Sequence, residues 1–132
     1  MRYMLDTNIC IYVIKKKPES VIKKFLEYNP DDICISAITH AELMYGVEKS
    51  QLPEKNLAAL TFFLSAIEVL EFNSMAAIEY GKIRVDLEKK GTPIGAMDML
   101  IAAHAKAECL ILVTNNTREF NRVDNLKVEN WI

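Results

Sequence analysis

Three carboxylates in this chain stand in surroundings that ordinarily exclude charge. Asp6 closes the apolar run Tyr3-Met4-Leu5 and precedes Thr7 and Asn8. Glu42 has Ala41 and Leu43 beside it and, a helical turn away on either side, Ile38, Thr39, Tyr45 and Gly46. Asp98 is the only charged residue between Lys90 and Lys106, set in Ile94-Gly-Ala-Met-Asp-Met-Leu-Ile-Ala-Ala. Burying an ionised carboxylate without a partner is costly, so such acids need a cation, a donor or bulk water in a cleft. Each also has a plainer explanation: Asp6 as a helix N-cap, Glu42 on a solvated helical face, Asp98 as a first-turn acid favoured by the helix dipole. Those explanations do not account for three such acids each standing near the top of one sheet, and convergence on one cleft does. Acids brought together without histidine or cysteine form an all-oxygen site, which selects Mg²⁺ or Mn²⁺ over zinc. The chemistry it supports is phosphodiester hydrolysis.

The elements that must position these acids are readable from periodicity. Short β-type runs fall at Tyr3 to Leu5, Ile33 to Ile35, Val69 to Phe72 and Leu110 to Val113, with an edge strand near Lys127 to Glu129. Helical spacing fills the gaps. Asn8 to Ile14 is followed by a helix opened by Pro18, with Val21, Ile22, Phe25 and Leu26 on one face. Ser36 or Thr39 caps a helix reaching about Lys49, and Pro53 to about Ile67 carries Leu57, Leu60, Leu64 and Ile67 as a stripe. Asn73 or Ser74 caps a long helix stopped by Gly91, and Met97 to about Glu108 is the last clear helix. Right-handed crossovers between such strands give an α/β fold with a parallel sheet covered by helices on both faces. In such sheets ligands bind at the carboxyl ends of the strands, where Asp6 falls.

At 132 residues the chain is expected to be a single domain, residues 1–132, and its 51% hydrophobic content suffices for a core. Sixteen Lys and Arg against eighteen Asp and Glu leave a net charge of -2, so an RNA partner must be met by a local basic patch. Lys15, Lys16, Lys17, Lys23 and Lys24 form one such cluster, and Lys82, Arg84, Lys89 and Lys90 another. Cys10, Cys34 and Cys109 are odd in number and widely spaced, which disfavours zinc and disulfides. The early Asp6 argues against a signal peptide, so the expected location is cytoplasmic, away from membranes.

Four ordered motifs carry a resemblance. They are Met4-Leu5-Asp6-Thr7-Asn8; Ile35-Ser36-Ala37-Ile38-Thr39 leading to Ala41-Glu42-Leu43 and Gly46; Pro93-Ile94-Gly95 with Asp98-Met-Leu-Ile-Ala-Ala; and Leu112-Val113-Thr114-Asn115-Asn116 with Arg118-Glu119-Phe120, before a closing Glu129-Asn130-Trp131. Together they span almost the whole chain and resemble the PIN-domain ribonucleases, more closely the VapC toxins of bacterial VapBC toxin-antitoxin modules. The resemblance implies a three-layer α/β/α fold with a short central parallel sheet, Mg²⁺-dependent RNA endonuclease activity with Mn²⁺ able to substitute, homodimerisation, and inhibition by a VapB antitoxin. It places Asp6, Glu42 and Asp98 on the family's metal-binding acids, with Thr7, Asn8 and Thr114 in supporting positions. The fourth acidic slot holds Asn116 here, an amide, with Glu119 as the nearest remaining acid. An antitoxin groove over the early helices would use Ile11, Tyr12, Phe62 and Phe63. The relatives sharing the Thr-Asn-Asn and Arg-Glu-Phe segments point to a tRNA anticodon loop, the initiator tRNA first.

Other readings carry less. His40-Ala41-Glu42 matches half of a zinc deaminase motif, but no Pro-Cys-x-x-Cys follows. A phosphoacceptor receiver domain also carries an acid after its first strand, but here no acidic pair precedes Asp6 and no isolated Asp ends the third strand. A non-catalytic partner-binding module, with the acids as helix caps, is the serious alternative.

Overall fold

A computed structural model describes all 132 residues. Five strands form one all-parallel sheet in the order β3-β2-β1-β4-β5: β1 Tyr3–Leu5, β2 Ile33–Ser36, β3 Glu68–Leu70, β4 Ile111–Val113 and β5 Val128–Glu129. The central strands read as unbroken apolar runs because both faces of the sheet are covered. Their side chains alternate between two separate cores. Tyr3, Leu5, Ile33, Ile35 and Val113 point into one, and Met4, Cys34 and Leu112 into the other.

The first core is covered by α1 Thr7–Lys15, α2 Glu19–Glu27, α3 Ala37–Lys49 and α4 Pro53–Leu64. The second is covered mainly by α5 Ser74–Lys90 and α6 Ala96–Ala107, and the short α7 Thr117–Phe120 adds Phe120 to it. This is the three-layer arrangement expected. The chain runs outward from β1 through β2 to β3, then returns to lay β4 on the other side of β1. The order therefore reverses at β1, and the crevice above β1 and β4 is the switch point at which open α/β sheets bind ligands.

Capping chemistry sets most helix starts. The Ser36 hydroxyl accepts from the Ile38 amide at 3.0 Å, so Ser36, not Thr39, is the cap of α3. Asn73 caps α5, and Gly91 closes it in the left-handed region at φ 68°, which costs a glycine little. Two boundaries differ from expectation. Helix α4 stops at Leu64, where the Ser65 hydroxyl donates to the Phe62 carbonyl at 2.6 Å, and Ile67 is buried beyond the helix. The third strand lies at Glu68–Leu70 and not Val69 to Phe72, because its partner β2 ends at Ser36 to begin α3. Phe72, left without a strand to pair with, packs edge-on against His104 at 5.4 Å.

Candidate active site

Asp6 is held by three elements at once. Its amide donates to the Val113 carbonyl at 2.9 Å, tying the end of β1 to the end of β4. Its carboxylate accepts from the Ile9 amide at 2.9 Å and so caps α1. The capping role is real, and it fixes the carboxylate at the switch point. Burial pushes this acid above the usual carboxylate range, opposed by hydrogen bonding from Thr114 and the Ile9 amide; the charge of Glu42 adds to the rise.

Glu42 rides on α3, half-buried, and receives the Thr7 hydroxyl at 2.6 Å. The residue after the first acid thus steers the second. Asp98 lies in the first turn of α6, and its carboxyl is pushed up to about 6. Desolvation is the leading cause, followed by a hydrogen bond with Glu119 and then by the charges of Glu119, Asp6 and Glu42.

Glu119 in α7 lies beside Asp98 and helps to raise its carboxyl, while Asn116 donates through Nδ2 to Glu119 Oε2 at 2.8 Å. The acid enters the cluster and the amide orients it. Thr114 anchors the segment, its hydroxyl accepting from the Asn116 amide at 2.9 Å. Asn8 is exposed at the rim beside Asp6 and makes no side-chain hydrogen bond. The sequence did not single out α7 as an element, since a four-residue helix is too short to carry periodicity. Nor did it single out the ties between Asn115 and Tyr12 (Nδ2 to hydroxyl, 3.1 Å) or between Ser36 and the buried His104 (2.7 Å). The second tie joins α6, which carries Asp98, to the cap of α3, which carries Glu42.

Six ion pairs occur in the protein, and none includes Asp6, Glu42, Asp98 or Glu119. Asp6, Glu42 and Glu119 are met instead by neutral donors, the Ile9 amide, the Thr7 hydroxyl and the Asn116 amide. Such an all-oxygen donor set suits a hard divalent cation. As the side chains stand, no three of them converge to ion-binding distance. Glu42 accepts the Thr7 hydroxyl, and Asp98 lies beside Glu119.

The surroundings are equally specific. A groove of about 390 Å³ runs between α1, α3 and α4, lined by Ile11, Ile14, Leu43, Val47 and Leu60, with Glu42 in its wall. Of the four residues expected to form an apolar groove, Ile11 lines it, Phe63 is core, and Phe62 is 82% exposed and lines no part of it. The Tyr12 hydroxyl is engaged with Asn115. Lys82, Arg84 and Lys90 are paired with Glu79, Glu88, Asp86 and Asp124, whereas Lys15, Lys16, Lys17 and Lys23 have no acidic partner.

The PIN domain family model matches residues 3–126. The chain is 51% identical over 131 residues to the tRNA(fMet)-specific endonuclease VapC of Shigella flexneri, covering 99% of this chain and 98% of that one. It is 49% identical over 132 residues to the ribonuclease VapC of Haemophilus influenzae, covering 100% and 99%. The DNA-bound VapBC of Salmonella typhimurium superposes with a TM-score of 0.94 at 48% identity, covering 100% of this chain and 99% of that one. This chain belongs to the VapC ribonucleases of the PIN-domain family. No helix is long and apolar enough to cross a membrane.

Proposed function

We propose that this chain is a Mg²⁺-dependent endoribonuclease toxin that cleaves a tRNA in its anticodon loop, initiator tRNA first, and is neutralised by a VapB antitoxin. The observation that carries the reading is the group Asp6, Glu42, Asp98 and Glu119, acids that pair with no Lys or Arg and of which Asp6 and Asp98 are raised by burial and by their acidic neighbours. Asp6, Glu42 and Asp98 are the ligands, with Glu119 completing the acidic wall. Bound Mg²⁺, with Mn²⁺ able to replace it, supplies polarisation of a phosphoryl oxygen and stabilises charge on the leaving oxygen. The chain's own residues prepare that chemistry. Asp6 is immobilised by its cap, Thr7 aims Glu42, and Asn116 aims Glu119. Asp98, held above the ordinary carboxylate range by burial and its acidic neighbours, would be drawn toward its ionised form by a bound cation.

Four unpaired lysines near α1 and α2 are suited to an RNA backbone. A single-stranded loop is favoured because its phosphates are accessible and its bases can splay. The specificity in the name of the Shigella flexneri relative supports initiator tRNA. Solved relatives such as the Salmonella typhimurium VapBC support the antitoxin. The groove beside Glu42 suits an apolar peptide whose basic side chain reaches the acids and competes with the cation. Homodimerisation follows from the family likeness.

Incubating the protein with total tRNA and Mg²⁺ and mapping new 5′ ends tests this directly. The expected result is one cut within the anticodon loop of initiator tRNA, abolished by EDTA and by the small protein encoded next to this chain. Uniform degradation of unstructured RNA with tRNA intact would refute the substrate, and cleavage unaffected by EDTA would refute the metal.

A further inference from the structure

We propose that Tyr45 is a stacking platform for an unpaired base of the RNA substrate, with Lys49 as its cationic partner; the inference rests on the nuclease reading above. Tyr45 is 66% exposed, an unusual expense for a ring on a helix that otherwise buries Leu43 and Val47. It follows Glu42 by three residues in α3 and Lys49 follows Glu42 by seven, so all three share one side of the helix. The Lys49 ammonium stands over the Tyr45 ring at 4.8 Å from its centroid. One face of the ring is thereby met by a cation, and the combination sits about one helical turn from an acid of the cleavage site.

Aromatic rings with adjacent cations are the elements by which proteins hold single-stranded nucleic acid. Every base has a π-face to stack, and the ammonium serves either the ring or a phosphate. An apolar protein segment is a poorer fit. The apolar lining of the groove suited to one is Ile11, Ile14, Leu43, Val47 and Leu60; Lys49 stands at that groove's edge, but the Tyr45 ring is not among its lining residues. The other strongly exposed ring, Phe62, lies on α4 with no cation over it. Tyr45 also has no side-chain hydrogen bond that would explain its position as structural.

The test measures binding of a fluorescently labelled anticodon stem-loop RNA, and of a fully paired duplex of equal length, to the Asp98→Asn protein in the presence of Mg²⁺. Adding Tyr45→Ala is expected to weaken stem-loop binding about tenfold, the loss of one stacked base, and to leave duplex binding unchanged. Tyr45→Phe is expected to restore it, and Lys49→Gln to lower the salt dependence by about one phosphate contact. Equal stem-loop binding by Tyr45→Ala and its parent would overturn the stacking role alone. Tyr45→Ala that weakens only the antitoxin would assign the ring to protein recognition and overturn the proposal as well. A parent that binds no stem-loop would remove the RNA reading on which it rests.

Discussion

Asp98→Asn is expected to lower RNA cleavage by more than about a hundredfold, since even residues that merely support a metal ligand cost ten- to a hundredfold when replaced. The fold should survive. The amide is close in size to the carboxyl, and one source of repulsion among the acids is gone. The sign of the accompanying pH effect follows from the carboxyl's rise to about 6 from an ordinary 3.8. The folded state binds this proton more tightly than the unfolded chain does. The stability linked to the group is therefore complete below about pH 4 and is lost as the pH rises through about 6. Without metal, the melting temperature of wild type minus that of Asp98→Asn should fall across that window, and saturating Mg²⁺ should remove the fall for wild type. Wild-type cleavage by the variant would reduce Asp98 to a first-turn helix residue.

Trp131→Ala is expected to remove about 3–5 kcal/mol of stability, a large share of the 5–15 kcal/mol typical of a domain. Trp131 is 2% exposed although it lies one residue from the chain's end. Its ring stacks on Tyr28 at 5.5 Å and meets the edge of Tyr3 at 5.6 Å, while its indole N–H donates to Glu129 Oε1 at 3.0 Å. Tyr3 is the first residue of the central strand and its hydroxyl donates to that of Tyr28 at 3.2 Å, so the cluster joins β1, the end of α2 and the segment after β5. Trp131→Phe keeps a stacking ring but loses the indole hydrogen bond, worth about 1 kcal/mol, and part of the buried volume, so it falls between wild type and Ala. Urea unfolding of the three proteins checks the order wild type, Phe, Ala. An Ala variant within about 1 kcal/mol of wild type would mean that the segment is not part of the cooperative core.

The sequence carries the fold well where two periodicities differ sharply. Tyr3-Met4-Leu5 and Ile33-Cys34-Ile35 are too short and too apolar to be helices, and the intervening stretches have capping residues at their starts. Boundaries set by a neighbour are harder to see. Nothing local in Val69 to Phe72 says that the strand must end when β2 turns into α3 at Ser36, or that Phe72 will find His104 instead. The same limit applies to the site. Asp6, Glu42 and Asp98 stand out because each interrupts an apolar context. Glu119 does not, since it lies among Asn116, Arg118 and Asn121 in a polar turn, and only its pairing with Asp98 and Asn116 gives it a role. Tyr45 could be seen beside Glu42 in the sequence, but its exposure and the cation over its ring are tertiary facts.

The most direct measurement of the acid cluster as a cation site is a Mg²⁺ titration followed by carboxyl carbon NMR. The Asp6, Glu42, Asp98 and Glu119 signals are predicted to shift and saturate together, and the Asp98 carboxyl to lose its raised titration midpoint, while exposed acids such as Glu88 and Asp124 stay in place. Carboxyls of the cluster that remain unmoved at millimolar Mg²⁺, or that shift no more than the exposed acids do, would contradict the site.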